Sequence, residues 1–221
     1  MDDKKRLAAL ENVLAQMLKP VRNIPFNIIV KSLSTKEIIK FDASRAADAR
    51  LLEKLKIAIK LTAEAVRKTP ICRPRPNEVG NDIEPFVMKA LKDAGLKAQR
   101  PTSSAGQGKS TGYPDILVLD EESRPTYIEC KIFAEGAAST TMRSFYLSPS
   151  ESFKVTLSAR HLLLAFGMSS EPIANSRDSQ YRPQSFKLVD LHDLLCDVKY
   201  EFNSDNRRLY VDDLVLLYGN V

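Results

Sequence analysis

Two short apolar segments on either side of a polar turn constrain the fold of this chain more than any other feature. Residues 113–120 (YPDILVLD) and residues 127–133 (YIECKIF) each have the length and composition of a β-strand. Residues 121–125 between them are polar and end in proline, which is typical of a turn. The sequence therefore predicts an antiparallel hairpin.

The predicted hairpin brings charged side chains together on one face. If the hairpin is symmetric about Glu122, Asp115 lies opposite Glu129, with Cβ atoms roughly 4.5–5.5 Å apart. Glu129 and Lys131 share a face because side chains alternate along a strand, and Cys130 points into the core. Two carboxylates this close repel each other unless a cation lies between them, so the pattern predicts a divalent-metal site. A solvated strand face has the same spacing and is the alternative.

A helix is predicted upstream of the hairpin, over residues 81–95. Asn81 or Asp82 is expected to be its N-cap. Pro85 is tolerated because it falls in the first turn of this predicted helix. Gly95 is expected to end the helix.

One acid of this predicted helix is a candidate site residue. Glu84 shares the apolar side with Val87, Met88 and Leu91. An acid on such a face costs desolvation energy unless it is paired, which indicates a third carboxylate directed at the same metal. A surface glutamate favoured by the helix dipole is the alternative. Glu78 and Asp82 are neighbouring acids that can take the place of Glu84.

These residues carry a family resemblance. Pro114-Asp115 followed by Glu129-x-Lys131 resembles the PD-(D/E)xK motif of the restriction-endonuclease-like nucleases. Residues 77–133 are similar to the core of Holliday-junction resolvases and type II restriction enzymes. In that core a helix that carries an acid comes first along the chain, a strand follows, and the hairpin comes last. The ordered positions that carry the resemblance are Glu84, Leu91, Gly95, Arg100, Ser103, Ser104 and the motif itself.

The resemblance implies a fold and a chemistry. The fold class is α/β, with a restriction-endonuclease-like α/β/α core around a mixed central sheet and an N-terminal helical region. The implied activity is phosphodiester hydrolysis that depends on Mg²⁺, for which Mn²⁺ can substitute. Asp115 and Glu129 would be metal ligands, Lys131 the catalytic lysine, and Glu84 the helix acid that also binds the metal.

A proline-rich joint, residues 69–76, divides the chain into two predicted regions. Residues 1–76 are expected to be mainly helical, with helices over 3–18 and 44–68. Residues 26–30 fit a strand or a helix. Residues 77–221 are expected to form the nuclease domain. The added N-terminal length favours a restriction-type enzyme over a resolvase.

The C-terminal part is predicted to add strands to the sheet. Residues 161–167 and 186–191 are expected to be buried strands, followed by a short helix over 192–196 and an edge strand from 198 to 202. Residues 169–184 lack apolar periodicity and are predicted to be a long loop, which in a compact domain is often functional.

Several polar side chains are candidates for DNA contacts. Arginine and glutamine can form bidentate hydrogen bonds with the edges of guanine or adenine, whereas lysine is suited to contacts with phosphate groups. A solvated surface side chain is the alternative at each position. The candidates are Ser104, Arg143, Lys154, Arg177, Arg182 and Gln184.

Composition and charge agree with this prediction. The formal net charge of +5 has the sign that favours a polyanionic partner. Three scattered cysteines without metal-ligand spacing predict reduced thiols in a cytosol. The resemblance to restriction enzymes implies that this is the cytoplasm of a prokaryotic cell. Two isolated histidines make a histidine-based zinc or serine site unfavourable. No apolar stretch is long enough to span a membrane.

The sequence therefore predicts a type II site-specific deoxyribonuclease that acts on double-stranded DNA as a homodimer. A structure-specific Holliday-junction resolvase is the second hypothesis. A catalytically silent DNA-binding module is the third, and the presence of Asp115, Glu129 and Lys131 argues against it.

Overall fold

The computed structural model describes residues 3–106, 112–134, 145–150, 152–200, 204–209 and 214. Its helices are α1 Asp3–Met17, α2 Phe26–Ser34, α3 Ala46–Lys68, α4 Pro76–Asp93 and α5 Asn206–Leu209. Its strands are β1 Ile24–Pro25, β2 Ile71–Arg73, β3 Lys97–Gln99, β4 Ile116–Leu119, β5 Pro125–Ala134, β6 Arg160–Pro172, β7 Ser179–Asp190 and β8 Leu195–Cys196. None of the described helices is long and apolar enough to cross a membrane.

The chain divides into two compact units, one formed by Met1–Ile24 with Leu195–Val221 and the other by Pro25–Leu194. In the first unit, α1 confirms the helix predicted over residues 3–18. Its predicted apolar side is exposed, with Leu7, Leu10, Val13 and Met17 each at least half accessible. The predicted division of the chain at residue 76 stays a prediction.

The second unit contains a six-stranded mixed sheet in the order β2-β7-β6-β5-β4-β3. Strands β5 and β6 run parallel, and the other neighbours are antiparallel. The expected mixed α/β fold is therefore confirmed. The strands predicted over 161–167 and 186–191 correspond to parts of β6 and β7. The first is buried as expected, whereas the burial expected of the second is wrong, because Phe186 and Val189 are 52% and 38% exposed.

Helical residues lie on both faces of this sheet. Leu55 of α3 and Val87 of α4 belong to one buried cluster with Ile128 of β5. The next side chain along β5 points to the opposite face, because side chains alternate. On that face the ring of Phe26 in α2 packs edge-on against His161 of β6, with centroids 6.3 Å apart. Residues 26–30, which fit either a strand or a helix in sequence, are thus helical.

The central hairpin has the predicted register. Ile116 pairs with Ile128, and Leu119 pairs with Pro125, so the pairing is symmetric about Glu122. Ser123 in the turn has a positive φ of 59°. Extending the register by one residue places Asp115 opposite Glu129.

Helix α4 begins earlier than predicted. Its first residue is Pro76, so the N-cap predicted at Asn81 or Asp82 is wrong, and Pro85 lies inside the helix rather than in its first turn. The preset φ of proline favours the first helical position, which explains the start at Pro76. The predicted end is confirmed, since Gly95 follows the helix with a φ of 80°.

The predicted long loop over residues 169–184 is wrong. Strands β6 and β7 pair from Leu162–Asp190 out to Pro172–Ser179, which leaves only residues 173–178 as the connection. The polar composition misled the prediction because backbone pairing does not require apolar side chains. Strand β2, within the predicted joint, extends this sheet by pairing with β7.

Two C-terminal predictions also differ from the structure. Residues 192–196 form a turn followed by β8, so the short helix predicted there is wrong. Residues 197–200 are not in a strand, whereas residues 201 and 202 of the predicted edge strand lie outside the described residues.

Candidate active site

Hydrogen bonds hold the motif residues in one cluster beside the central hairpin. The backbone N–H of Cys130 donates to Oδ2 of Asp115 over 2.8 Å. Nζ of Lys131 donates to Oε1 of Glu129 over 2.6 Å. Asp115 sits just before β4, whereas Glu129 and Lys131 belong to β5, so both strands of the hairpin supply the cluster.

Glu129 is buried rather than on a solvated face, with 4% of its surface exposed. Its burial, followed by the negative charge of Asp115, raises the pKa of Glu129 to about 7. Its Oε2 atom is buried and has no hydrogen-bond partner among the described residues. An unpaired buried carboxylate oxygen is costly, so this donor set fits a bound cation.

Glu84 lies on helix α4, and its pKa is also shifted by the charges of this cluster. Burial and then the charge of Asp115 raise the pKa of Glu84 to about 7, whereas the charges of Arg100 and Lys154 act in the opposite direction. Among the described residues, no group of three or more histidines, cysteines or acids lies close enough together to hold a metal. The structure therefore brings Asp115 and Glu129 together and leaves Glu84 at a greater distance.

The two acids that neighbour Glu84 have other surroundings. Asp82 accepts hydrogen bonds from Nε and Nη2 of Arg73, at 2.5 and 2.8 Å. This pairing lowers the pKa of Asp82. Glu78 lies in the first turn of α4, where the helix dipole favours an acid. Neither acid is among the main causes of the raised pKa of Glu84 or Glu129.

A buried aromatic group supports the loop that carries Asp115. The Tyr113 hydroxyl lies 2.5 Å from Nδ1 of His161. Burial lowers the pKa of His161 to about 3, so the imidazole is neutral at physiological pH. The sequence showed only an isolated histidine, because its partner is 48 residues away in the chain.

The candidate DNA-contacting side chains lie in different surroundings. Arg182 donates to Glu171 and to Gln180, each over 2.7 Å, along the β6–β7 hairpin. Gln184 donates to the Ser169 hydroxyl over 3.0 Å.

The remaining candidates are more scattered. Arg177 is exposed in the turn between β6 and β7. The backbone N–H of Ser104 donates to the carbonyl of Phe153 over 3.1 Å. Lys154 is buried, with 3% of its surface exposed. Arg143 lies outside the described residues.

The alternation of Phe153, Lys154 and Val155 is the sequence signal of this buried lysine, since apolar residues flank it on both sides. The sequence interpretation placed it among surface cations. Burial lowers the pKa of Lys154, whereas the carboxylates of Asp115, Glu129 and Glu84 act to raise it. Lys154 therefore lies within electrostatic range of the whole acidic cluster.

Comparisons with known proteins show the family of this chain. The model of the protein family described as "Type II restriction enzyme MjaV family" matches residues 20–213. The chain is similar to the type II restriction enzyme MjaV of Methanocaldococcus jannaschii, with 36% identity over 231 residues that cover 98% of this chain and 97% of that protein. No solved structure matches the chain.

Proposed function

Because this chain belongs to the type II restriction enzyme MjaV family, and is therefore a site-specific deoxyribonuclease, we propose that it cleaves DNA by Mg²⁺-dependent PD-(D/E)xK chemistry. The observation that carries the proposal is the buried carboxylate of Glu129, which accepts a hydrogen bond from Lys131 and whose pKa is raised by burial and by the charge of Asp115. In this proposal the substrate is double-stranded DNA in the cytoplasm of a prokaryotic cell. The enzyme acts as a homodimer, so that each of its two active sites cleaves one strand of the DNA.

The carboxylates have the role of holding the ion. Asp115 and the unpaired Oε2 of Glu129 would bind Mg²⁺, for which all-oxygen ligands are preferred. When bound, the ion lowers the pKa of a water ligand and polarises the scissile phosphate. The backbone N–H of Cys130 holds Asp115 in place through its hydrogen bond.

Lys131 acts on the nucleophile. Its hydrogen bond to Glu129 and the charge of that carboxylate outweigh the effect of burial, so the pKa of Lys131 is raised. The side chain therefore remains an ammonium group, which orients the attacking water and offsets negative charge at phosphorus. Glu84 would act on the same ion from α4, with a water molecule between them. Its distance from the other two carboxylates favours this indirect role.

The polar side chains near the sheet are proposed to bind DNA. Arg177 and Arg182 on the β6–β7 hairpin, with Gln184, have donors that suit base edges. Ser104 and Lys154 suit phosphate oxygens. Arg143 is proposed as a further base reader.

The metal requirement tests the proposed function directly. With unmodified phage DNA, Mg²⁺ or Mn²⁺ is expected to give discrete fragments and Ca²⁺ no cleavage, because Ca²⁺ has a larger and looser coordination shell. Ca²⁺ is still expected to support duplex binding by neutralising Asp115 and Glu129. Gel electrophoresis of the digests and gel shifts in Ca²⁺ measure the two effects.

Other digestion patterns would contradict this proposal. Equal cleavage rates in Ca²⁺ and Mg²⁺ would contradict the proposed dependence of cleavage on Mg²⁺. Selective cutting of four-way junctions in place of linear duplexes would indicate a Holliday-junction resolvase. Duplex binding without cleavage in any divalent ion would indicate a catalytically silent binding module.

Arg182 provides a test of sequence recognition. We expect Arg182→Ala to weaken binding to the cognate duplex by about 1–3 kcal/mol more than binding to a random duplex, because a two-point base contact is lost. Gel-shift titrations in Ca²⁺ at fixed salt, after the cut site is mapped, measure both. Lys60→Ala, an exposed lysine on α3, is the control. Equal weakening of both duplexes would make Arg182 a backbone contact.

A further inference from the structure

Lys154 is an unusual residue for a surface-binding role because its whole segment is buried. Phe153, Lys154 and Val155 are each at most 7% exposed. The backbone of this segment is held by the hydrogen bond from the N–H of Ser104 to the carbonyl of Phe153, 3.1 Å long. The hydrogen-bonded backbone of this segment thus positions Lys154 in the protein interior.

The buried ammonium group has no ion pair within the described part of the chain. A desolvated cation without compensation is costly. The negative charges that act on Lys154 are those of Asp115, Glu129 and Glu84. These charges act on Lys154 through space, since none of the three carboxylates forms an ion pair with it among the described residues.

The charge of the cluster limits how many divalent ions it can hold. When all three carboxylates are ionised, as binding of a cation requires, their charges and those of the ammonium groups of Lys131 and Lys154 sum to a single negative charge. One divalent ion changes this to a single positive charge, which one phosphodiester group neutralises. A second divalent ion would leave a large unbalanced positive charge in a mostly buried site, where charges are weakly screened. Arg100, which also acts on Glu84, is exposed to water and adds little.

We propose that Lys154 takes the place of a second metal cation in this site, so that each chain binds one divalent ion. This inference rests on the proposed function, because it concerns the same carboxylates. Lys154 is a positioning residue here: its ammonium group balances the carboxylates and thereby sets the stoichiometry of the ion. Its proposed phosphate contact becomes the competing explanation.

The stoichiometry is measured with Ca²⁺, by isothermal titration of the full chain bound to a short cognate duplex. The wild type is expected to bind one Ca²⁺ per chain, and Lys154→Met to bind two, because the place of the second cation is then vacated. Lys154→Arg keeps the charge and is expected to bind one. The matched control is Lys60→Met, which removes an exposed lysine and should leave one Ca²⁺ per chain.

A second measurement does not need the duplex. Removing a cation beside the carboxylates should strengthen Ca²⁺ binding to the free protein by about tenfold or more in Lys154→Met, but not in Lys154→Arg or Lys60→Met. Circular dichroism checks that each variant is folded. If Lys154→Met does not fold, Lys154→Gln, which also lacks the charge but keeps a polar side chain, takes its place in both measurements.

The outcomes separate this inference from the proposed function. Two Ca²⁺ ions per wild-type chain, with Mg²⁺-dependent cleavage intact, would overturn the inference alone. One ion per chain in Lys154→Met, with duplex binding weakened, would also overturn it and make Lys154 a phosphate contact. No Ca²⁺ binding and no cleavage in Mg²⁺ by the wild type would overturn the proposed function and this inference together.

Discussion

Asp115→Asn, Glu129→Gln and Lys131→Met are each expected to reduce the cleavage rate by on the order of 10³-fold, because each removes a group that stabilises charge in the transition state. The replacements are close in shape, which matters because Glu129 is 4% exposed and a smaller side chain would leave a cavity. Single-turnover cleavage of a cognate duplex in Mg²⁺ measures the rate, and circular dichroism measures folding.

The matched control for these variants is Glu122→Gln, in the turn of the same hairpin. Its side chain is half exposed and pairs with Arg50, so its loss should leave the cleavage rate within about twofold, given how little exposed ion pairs contribute. Glu84→Gln is expected to lose less activity than the motif variants, because Glu84 is proposed to act through a water ligand. Full activity of Lys131→Met would rule out the proposed chemistry. Full activity of Glu84→Gln would move the helix-acid role to Glu78 or Asp82.

Asp48→Asn is expected to lower the free energy of unfolding by about 3–5 kcal/mol, the cost of breaking a buried ion pair. Asp48 is fully buried at the start of α3. It accepts two hydrogen bonds from Arg160, at 3.1 and 2.5 Å, and one from Arg124, at 2.7 Å. The variant leaves the buried guanidinium of Arg160 without its carboxylate. Urea unfolding followed by circular dichroism measures the loss.

The loss should depend on pH in a defined direction. Burial acts to raise the pKa of Asp48, but the hydrogen bonds from Arg160, Asp42 and Arg124 outweigh it and lower the pKa. The carboxylate therefore contributes its full stability above about pH 4, the usual pKa of an aspartate, and loses it as the pH falls through the lowered value. The difference between the wild type and Asp48→Asn should shrink over that acidic range.

An exposed ion pair is the control for Asp48. Glu53→Gln breaks the pair of Glu53 with Lys56, in which both side chains are more than half exposed. Its effect should stay within about 0.5 kcal/mol. A loss of similar size in both variants would mean that the Asp48 network contributes no more than a surface pair.

The central hairpin shows what local sequence is able to predict. Residues 116–119 and 125–128 are close in the chain, and alternation with a short turn restricts their register to one choice. The position of Asp115 opposite Glu129 followed from that register, together with the burial of Cys130. These features could be read because few residues, all near one another, determine them.

Errors arose where the local pattern was weak. The start of α4 was missed because Pro85 and Gly80 are poor helix residues, yet the apolar contacts of Val79 and Ile83 extend the helix back to Pro76. The β6–β7 hairpin was missed because its outer part is polar and its strands are defined by backbone pairing.

By itself, the sequence determined the α/β class, the hairpin and the identity of the motif residues Asp115, Glu129 and Lys131. Only the tertiary structure decided that Glu129 is buried, that Lys154 belongs with the carboxylates rather than on the surface, and that His161 supports Tyr113. Asp48 and Arg160 are 112 residues apart and no local pattern connects them. Burial and long-range pairing depend on how distant elements pack, and the free energy of an ionised group depends on that packing far more than on its neighbours in the chain.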